Sequence, residues 1–272
     1  MEIFEINNEE YAVCIYQRKQ HLPWLLMLHG FLGDHRVCNH LIDDLSSFSN
    51  PVTVDLLGHG NSSKPDDPNR YHEDQQIHDV RQLVTQLDIS AAFLFGYSMG
   101  GRLALKTAVT YPQKFRGLLL ESTTCGITDS PKRKERKKMD AQWAKSIQED
   151  FEHFLYGWKK LELFQSPLPI TKSLSENYHQ IQSDQSPSAL AASLHGFGTG
   201  SMTPVCNDLK TLDLPVLLLA GSADQKYQRI NHYLVNQFPN ATFSSIEAAH
   251  RTHLDNPTAF INAIKYYFRN YI

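Results

Sequence analysis

No apolar run in this 272-residue chain approaches the roughly 20 residues that cross a bilayer, so a membrane-spanning helix is not expected. Cysteine is scarce as well. The four present, Cys14, Cys38, Cys125 and Cys206, are widely scattered, with no C-x-x-C and no zinc-like pairing. They read as reduced thiols of a cytoplasmic protein. The opening residues Met1 to Glu5 have neither the basic region nor the apolar core of a secretion signal, which points the same way. A strong charge of either sign is missing too. The formal net charge of −3 argues against a general nucleic-acid or membrane-surface binder. The 13 histidines show no metal-ligand spacing, and there is no internal repeat or low-complexity tract. What is there, 41% hydrophobic and 20% charged residues, suits a soluble globule with a sizeable core.

Short apolar runs have the length and flanks of buried parallel strands: Leu22 to Leu28, Pro51 to Asp55, Ala91 to Phe95, Gly117 to Leu120 and Pro215 to Ala220. A more alternating run, Thr242 to Ile246, suits an edge strand, and Glu2 to Gln17 could form an antiparallel hairpin. Helical patterns separate the runs: Ile77 to Leu87, the stretch after Ser98, and Pro257 to Phe268. This alternation predicts an α/β fold, a mostly parallel sheet with helices on both faces. It stops between about Ser122 and Val205, where the chain turns polar, helix-biased and proline-punctuated. The economical reading is a core made of 1–121 and 206–272, with 122–205 inserted as a helical cap over the strand ends, where open α/β sheets carry their active sites.

The most informative stretch is an apolar run from Phe93 that ends in Gly96-Tyr97-Ser98-Met99-Gly100 and flows directly into a helical pattern. A G-x-S-x-G between strand and helix is the nucleophile elbow of the α/β-hydrolase fold, with the serine hydroxyl lifted onto a strained turn. A serine hydroxyl reacts near neutral pH only if a histidine takes its proton and a carboxylate orients that histidine. In this fold they follow in the order Ser, acid, His. Asp224 comes just past the strand ending at Ala220, and His250 just past the strand ending at Ile246. Asp224 could also be an ordinary helix N-cap. His253 is the alternative histidine; His250 is preferred because it follows its strand more directly. After the first core strand, His29-Gly30 turns the backbone so that the Phe31 amide can join the Met99 amide as an oxyanion hole, each donor worth roughly 3 kcal/mol. Asp55 to Gly60 reads as structural packing around the site. Arg102, four residues after Ser98 and on the same face, opposes the helix dipole at a cost of about 0.3–1 kcal/mol. Either an acidic neighbour or an anionic substrate must compensate.

Gly96 to Leu105, Leu120 to Ile127, Leu161 to Ser166, Gln185 to Pro187, Leu194 to Gly200 and Gly221 to Lys226 together resemble the MenH family, the 2-succinyl-6-hydroxy-2,4-cyclohexadiene-1-carboxylate (SHCHC) synthases. The likeness runs from about Leu28 to Pro257. It implies a cofactor-free lyase on the α/β-hydrolase fold. The reaction would eliminate pyruvate from 2-succinyl-5-enolpyruvyl-6-hydroxy-3-cyclohexene-1-carboxylate, in menaquinone or phylloquinone synthesis. Ser98 would act as base, and the Phe31 and Met99 amides would hold the enolate oxygen of the conjugated carboxylate. The resemblance maps substrate-binding roles onto Arg102, Arg136, Tyr97 and Trp158. From the residues alone, Arg136 would be a helix-surface group paired with Asp140. The sequence departs from the family pattern at Gln182, where a further arginine is common, and at Ser222 and Leu57. A serine hydrolase acting through an acyl-enzyme, and a non-catalytic ligand-binding protein on the same scaffold, are the rival readings.

Overall fold

A computed structural model describes residues 1–89 and 91–271. Its central strands are buried on both faces, which is why they read as unbroken apolar runs rather than alternating ones. In chain order the strands are β1 (Glu2–Ile6), β2 (Glu9–Ile15), β3 (Trp24–Leu28), β4 (Asn50–Val54), β5 (Ala92–Tyr97), β6 (Phe115–Glu121), β7 (Val216–Gly221) and β8 (Ala241–Ile246). They form one sheet in the order β1-β2-β4-β3-β5-β6-β7-β8. The expected hairpin is present: β1 pairs antiparallel with β2, and β2 antiparallel with β4. Every other pairing is parallel. Edge strand β8 is half-exposed along its length up to the buried Ile246, without the strict alternation that its sequence suggests.

The helices are α1 (Ile42–Ser46), α2 (Glu73–Gln86), α3 (Met99–Thr110), α4 (Ser130–Glu149), α5 (Phe151–Trp158), α6 (Lys172–Ser183), α7 (Pro187–Phe197), α8 (Gln225–Leu234), α9 (Thr252–Asp255) and α10 (Pro257–Tyr271). Side chains on a strand alternate between faces, so the sheet feeds two cores. Leu26, Leu28, Leu94, Leu118, Leu120 and Leu218 pack with residues of α2, α3 and α8. Leu25, Met27, Phe93, Phe95, Leu119 and Leu219 pack with α1 and α10. Between β6 and β7 the chain leaves the sheet and builds α4 to α7. Their small core of Ala144, Ile147, Phe154, Leu155, Leu190, Ala191 and Leu194 closes onto Leu32, in the loop after β3. No helix among the described residues is long and apolar enough to cross a membrane.

One expectation is overturned. Cys125 and Cys206 are joined in a disulfide, while Cys14 and Cys38 are free. The two bonded residues are 81 positions apart, a spacing that carries no pairing signal. They meet because the insertion leaves β6 and returns to β7, a neighbouring strand, so its outgoing and returning arms run side by side. There Val205 N–H also donates to the Cys125 carbonyl.

Candidate active site

Strand β5 passes into α3 through Ser98, whose φ of 52° and ψ of −106° lie outside the ordinary regions for a non-glycine residue. Glycine neighbours make the turn possible. A Cβ on Gly96 would lie 2.6 Å from the Gly101 Cα, and one on Gly100 would strike the carbonyls of Leu28 and His29. Ser98 N–H is tied to the Glu121 carbonyl (2.8 Å), and Thr123 Oγ1 donates to the Ser98 carbonyl (2.8 Å), so the end of β6 and the residues just after it hold the corner.

His250 Nε2 lies 3.2 Å from Ser98 Oγ, and its Nδ1 lies 2.7 Å from Asp224 Oδ2. Asp224 is also the N-cap of α8, accepting from Tyr227 N–H at 3.1 Å. The two readings of Asp224 are therefore compatible: one carboxylate oxygen caps a helix while the other faces the imidazole. Burial pushes the His250 pKa below its ordinary value despite Asp224, so the ring is neutral at neutral pH and able to accept a proton. The inserted segment reaches into this arrangement. His250 N–H donates to the Leu163 carbonyl (3.0 Å), and Arg251 Nη2 donates to that of Phe164 (3.2 Å). His253 is elsewhere: its Nδ1 is held by the buried Glu121 carboxylate at 2.8 Å.

The Phe31 and Met99 amides donate to no protein group among the described residues. The loop carrying Phe31 is set by His29, whose Nδ1 is 2.8 Å from the Gly30 carbonyl and whose Nε2 accepts from Leu56 N–H at 2.9 Å. Burial also lowers the pKa of this ring, in keeping with the neutral tautomer that makes both bonds.

Above the serine is a cleft of about 910 Å³, mouth included, lined by Ser98, His250, Asp224, Phe31, Met99, Tyr97, Arg102, Arg136 and Trp158. Every site residue expected from the sequence thus borders one space. Arg102 is buried, stacked on Phe197 at 4.6 Å, and donates through Nη1 to the Phe197 carbonyl (2.8 Å). No carboxylate pairs with it among the described residues. Burial and the neighbouring Arg136 lower its pKa to about 10, which leaves it charged at neutral pH. Arg136 pairs with Asp140 (2.7 Å), as the residues alone suggested, and also lines the cleft. Trp158 likewise packs on Phe154, Trp143, Phe31 and Phe164 and still presents a face to the cavity. Gln182 is absent from this cleft and lines a separate cavity with Lys159 and Arg251.

Sequence reasoning passed over Lys226, Tyr227, Phe164, Ser193 and Thr199, which also line the cleft. Lys226 was legible in principle, two residues beyond the acid and within the first turn of α8. Ser193 and Thr199 come from the insertion, whose orientation no local pattern gives. Asp34, His35 and Asp55 lie close enough together to suit a cation. Their ligand atoms are already engaged, Asp55 with His35 and Asn61 and Asp34 with Arg36. This agrees with the structural role read for Asp55 to Gly60.

The chain matches, over residues 23–257, a family described as an alpha/beta hydrolase fold. A protein of Bacillus subtilis (strain 168), provisionally named as 2-succinyl-6-hydroxy-2,4-cyclohexadiene-1-carboxylate synthase, is 33% identical over 238 residues, 87% of this chain and 86% of its own. The synthase of that name from Enterobacter sp. (strain 638) is 29% identical, over 89% of this chain and 90% of its own. Among solved structures, MenH from S. aureus is similar with a TM-score of 0.90 and 31% identity, covering 96% of this chain and 98% of that one.

Proposed function

The chain belongs to the α/β-hydrolase fold family and, within it, to the 2-succinyl-6-hydroxy-2,4-cyclohexadiene-1-carboxylate synthases, and on that premise we propose that it eliminates pyruvate from the enolpyruvyl-bearing cyclohexene precursor in menaquinone or phylloquinone synthesis. The observation that carries the reading is a serine–histidine–aspartate relay and two arginines meeting in one cleft. A relay alone fits many hydrolases; buried guanidinium charge beside it fits a substrate bearing several carboxylates.

The proton to be lost sits on the ring carbon that bears the succinyl group, where the adjoining ketone acidifies it. His250, neutral and oriented by Asp224, takes the hydroxyl proton of Ser98 as the serine oxygen takes the ring proton. The released electron pair moves through the ring double bond and breaks the carbon–oxygen bond to the enolpyruvyl group. The proton held by His250 passes to the carbon of the departing pyruvate enolate, directly or through solvent, which leaves pyruvate, a neutral His250 and a Ser98 hydroxyl carrying the former ring proton. Negative charge builds on the succinyl ketone oxygen. Conjugation therefore directs the Phe31 and Met99 amides to that oxygen, and not to a carboxylate oxygen as first expected. Arg102 and Arg136 hold carboxylates of the substrate. Ser98 works as a base and forms no acyl-enzyme. A cytoplasmic location belongs to the same reading and is open to cell fractionation.

Purified protein given the precursor should release pyruvate, measured with lactate dehydrogenase, and Ser98→Ala should cut turnover by about 10³-fold or more. Undiminished release by that variant would remove Ser98 from the chemistry. Fast turnover of p-nitrophenyl esters with no pyruvate released would instead favour an acyl-enzyme hydrolase. Tight ligand binding with no turnover would favour the non-catalytic reading.

A further inference from the structure

Charge in the cleft is out of balance. Arg102, Arg136 and Lys226 line it, and Asp224 is the only carboxylate that does so among the described residues. That carboxylate is already engaged with His250 and the Tyr227 amide. Asp140 offsets Arg136 from outside the cleft. Lys226 forms no ion pair among the described residues; its ammonium lies 5.1 Å from the ring centre of Tyr227. It stands in the first turn of α8, where a cation opposes the helix dipole, and the N-cap carboxylate beside it, Asp224, is committed to His250 and the Tyr227 amide.

We propose that Lys226 is a third carboxylate anchor for the substrate, at the open end of the cleft. The inference rests on the synthase reading, under which the substrate carries three carboxylates, one each on the ring, the succinyl arm and the enolpyruvyl group. Three cations from three helices, α3, α4 and α8, then meet three anions. The grading of exposure suits this division. Arg102 is 7% exposed, the Arg136 side chain 21%, and Lys226 lies at the exposed rim. Planar guanidinium groups clamp carboxylates in fixed geometry inside, while a flexible ammonium follows one at the mouth. The charge that the family often carries at the position of Gln182 is thereby supplied from another element. Gln182 faces a different cavity, so its neutrality takes nothing from this one.

The test uses the full chain. Lys226→Met should raise KM for the precursor by about tenfold or more while kcat stays within about threefold, and Lys226→Arg should recover most of the loss. A KM unchanged in the methionine variant, or a loss confined to kcat, overturns the proposal. A second measurement does not depend on turnover. Calorimetric binding of benzene-1,3,5-tricarboxylate to Ser98→Ala should weaken about tenfold when Lys226→Met is added, and equal affinities overturn the anchor. If the unmodified protein releases no pyruvate but tricarboxylate binding still depends on Lys226, the synthase reading fails and the anchor stands.

Discussion

The reactivity of Ser98 is decided by the state of one imidazole. Burial outweighs Asp224 and holds the His250 pKa below its ordinary value near 6.5. Protonated His250 cannot accept the serine proton, so activity is lost as pH falls through that lowered pKa. The acid limb of kcat against pH should therefore lie below about pH 6.5, and a limb above 7 would contradict the assignment. Arg102 lies on the first turns of α3, four residues after the serine, and no carboxylate pairs with it among the described residues; Asp140 and Glu73 act on it only from a distance. Replacing it by methionine should raise KM for the precursor by about tenfold to a hundredfold, a loss visible in the same pyruvate assay. The sequence left the choice between anion and acidic partner open because a local pattern says which face a residue occupies, but not what stands opposite.

At the scale of elements, the core was legible and the insertion only in outline. The core strands are marked by apolar runs, and the helices of the insertion by their caps. Asp129, Asp150, Thr171 and Ser186 each accept an amide at the start of α4, α5, α6 and α7. How those helices dock was not legible, because it depends on contacts remote in sequence. A buried pair, Lys106 with Glu73 (3.0 Å), holds the returning arm by Thr203, and the disulfide joins the two arms. Denatured protein kept free of reductant should accordingly titrate two thiols, Cys14 and Cys38, where the reduced-thiol reading requires four. Cys206→Ser should lower unfolding stability by roughly 2–4 kcal/mol in denaturant melts.

For the whole molecule, histidine couples the fold to pH. Burial lowers the pKa values of His29, His40, His59 and His250, that of His59 to about 3. The unfolded chain binds protons at these groups near pH 6.5 while the folded chain resists, so they destabilise the fold as pH falls below about 6.5. His35, raised by its bond to Asp55, acts in the opposite sense. Four groups against one should lower the midpoint of thermal unfolding between pH 7 and 5; a midpoint that rises over this range would contradict the balance. The order of residues along the chain by itself determined that this is an α/β protein with a strand–serine–helix corner, because strand burial, helix period and the glycines of a tight turn are written within a few residues. Only the tertiary structure decided that Lys226 shares a cleft with Arg102 while Gln182 does not, and that Cys125 meets Cys206. Those facts depend on how segments remote in sequence meet, α3 with α8 in the core and the insertion with its own two arms, and the chain specifies this through contacts between distant positions.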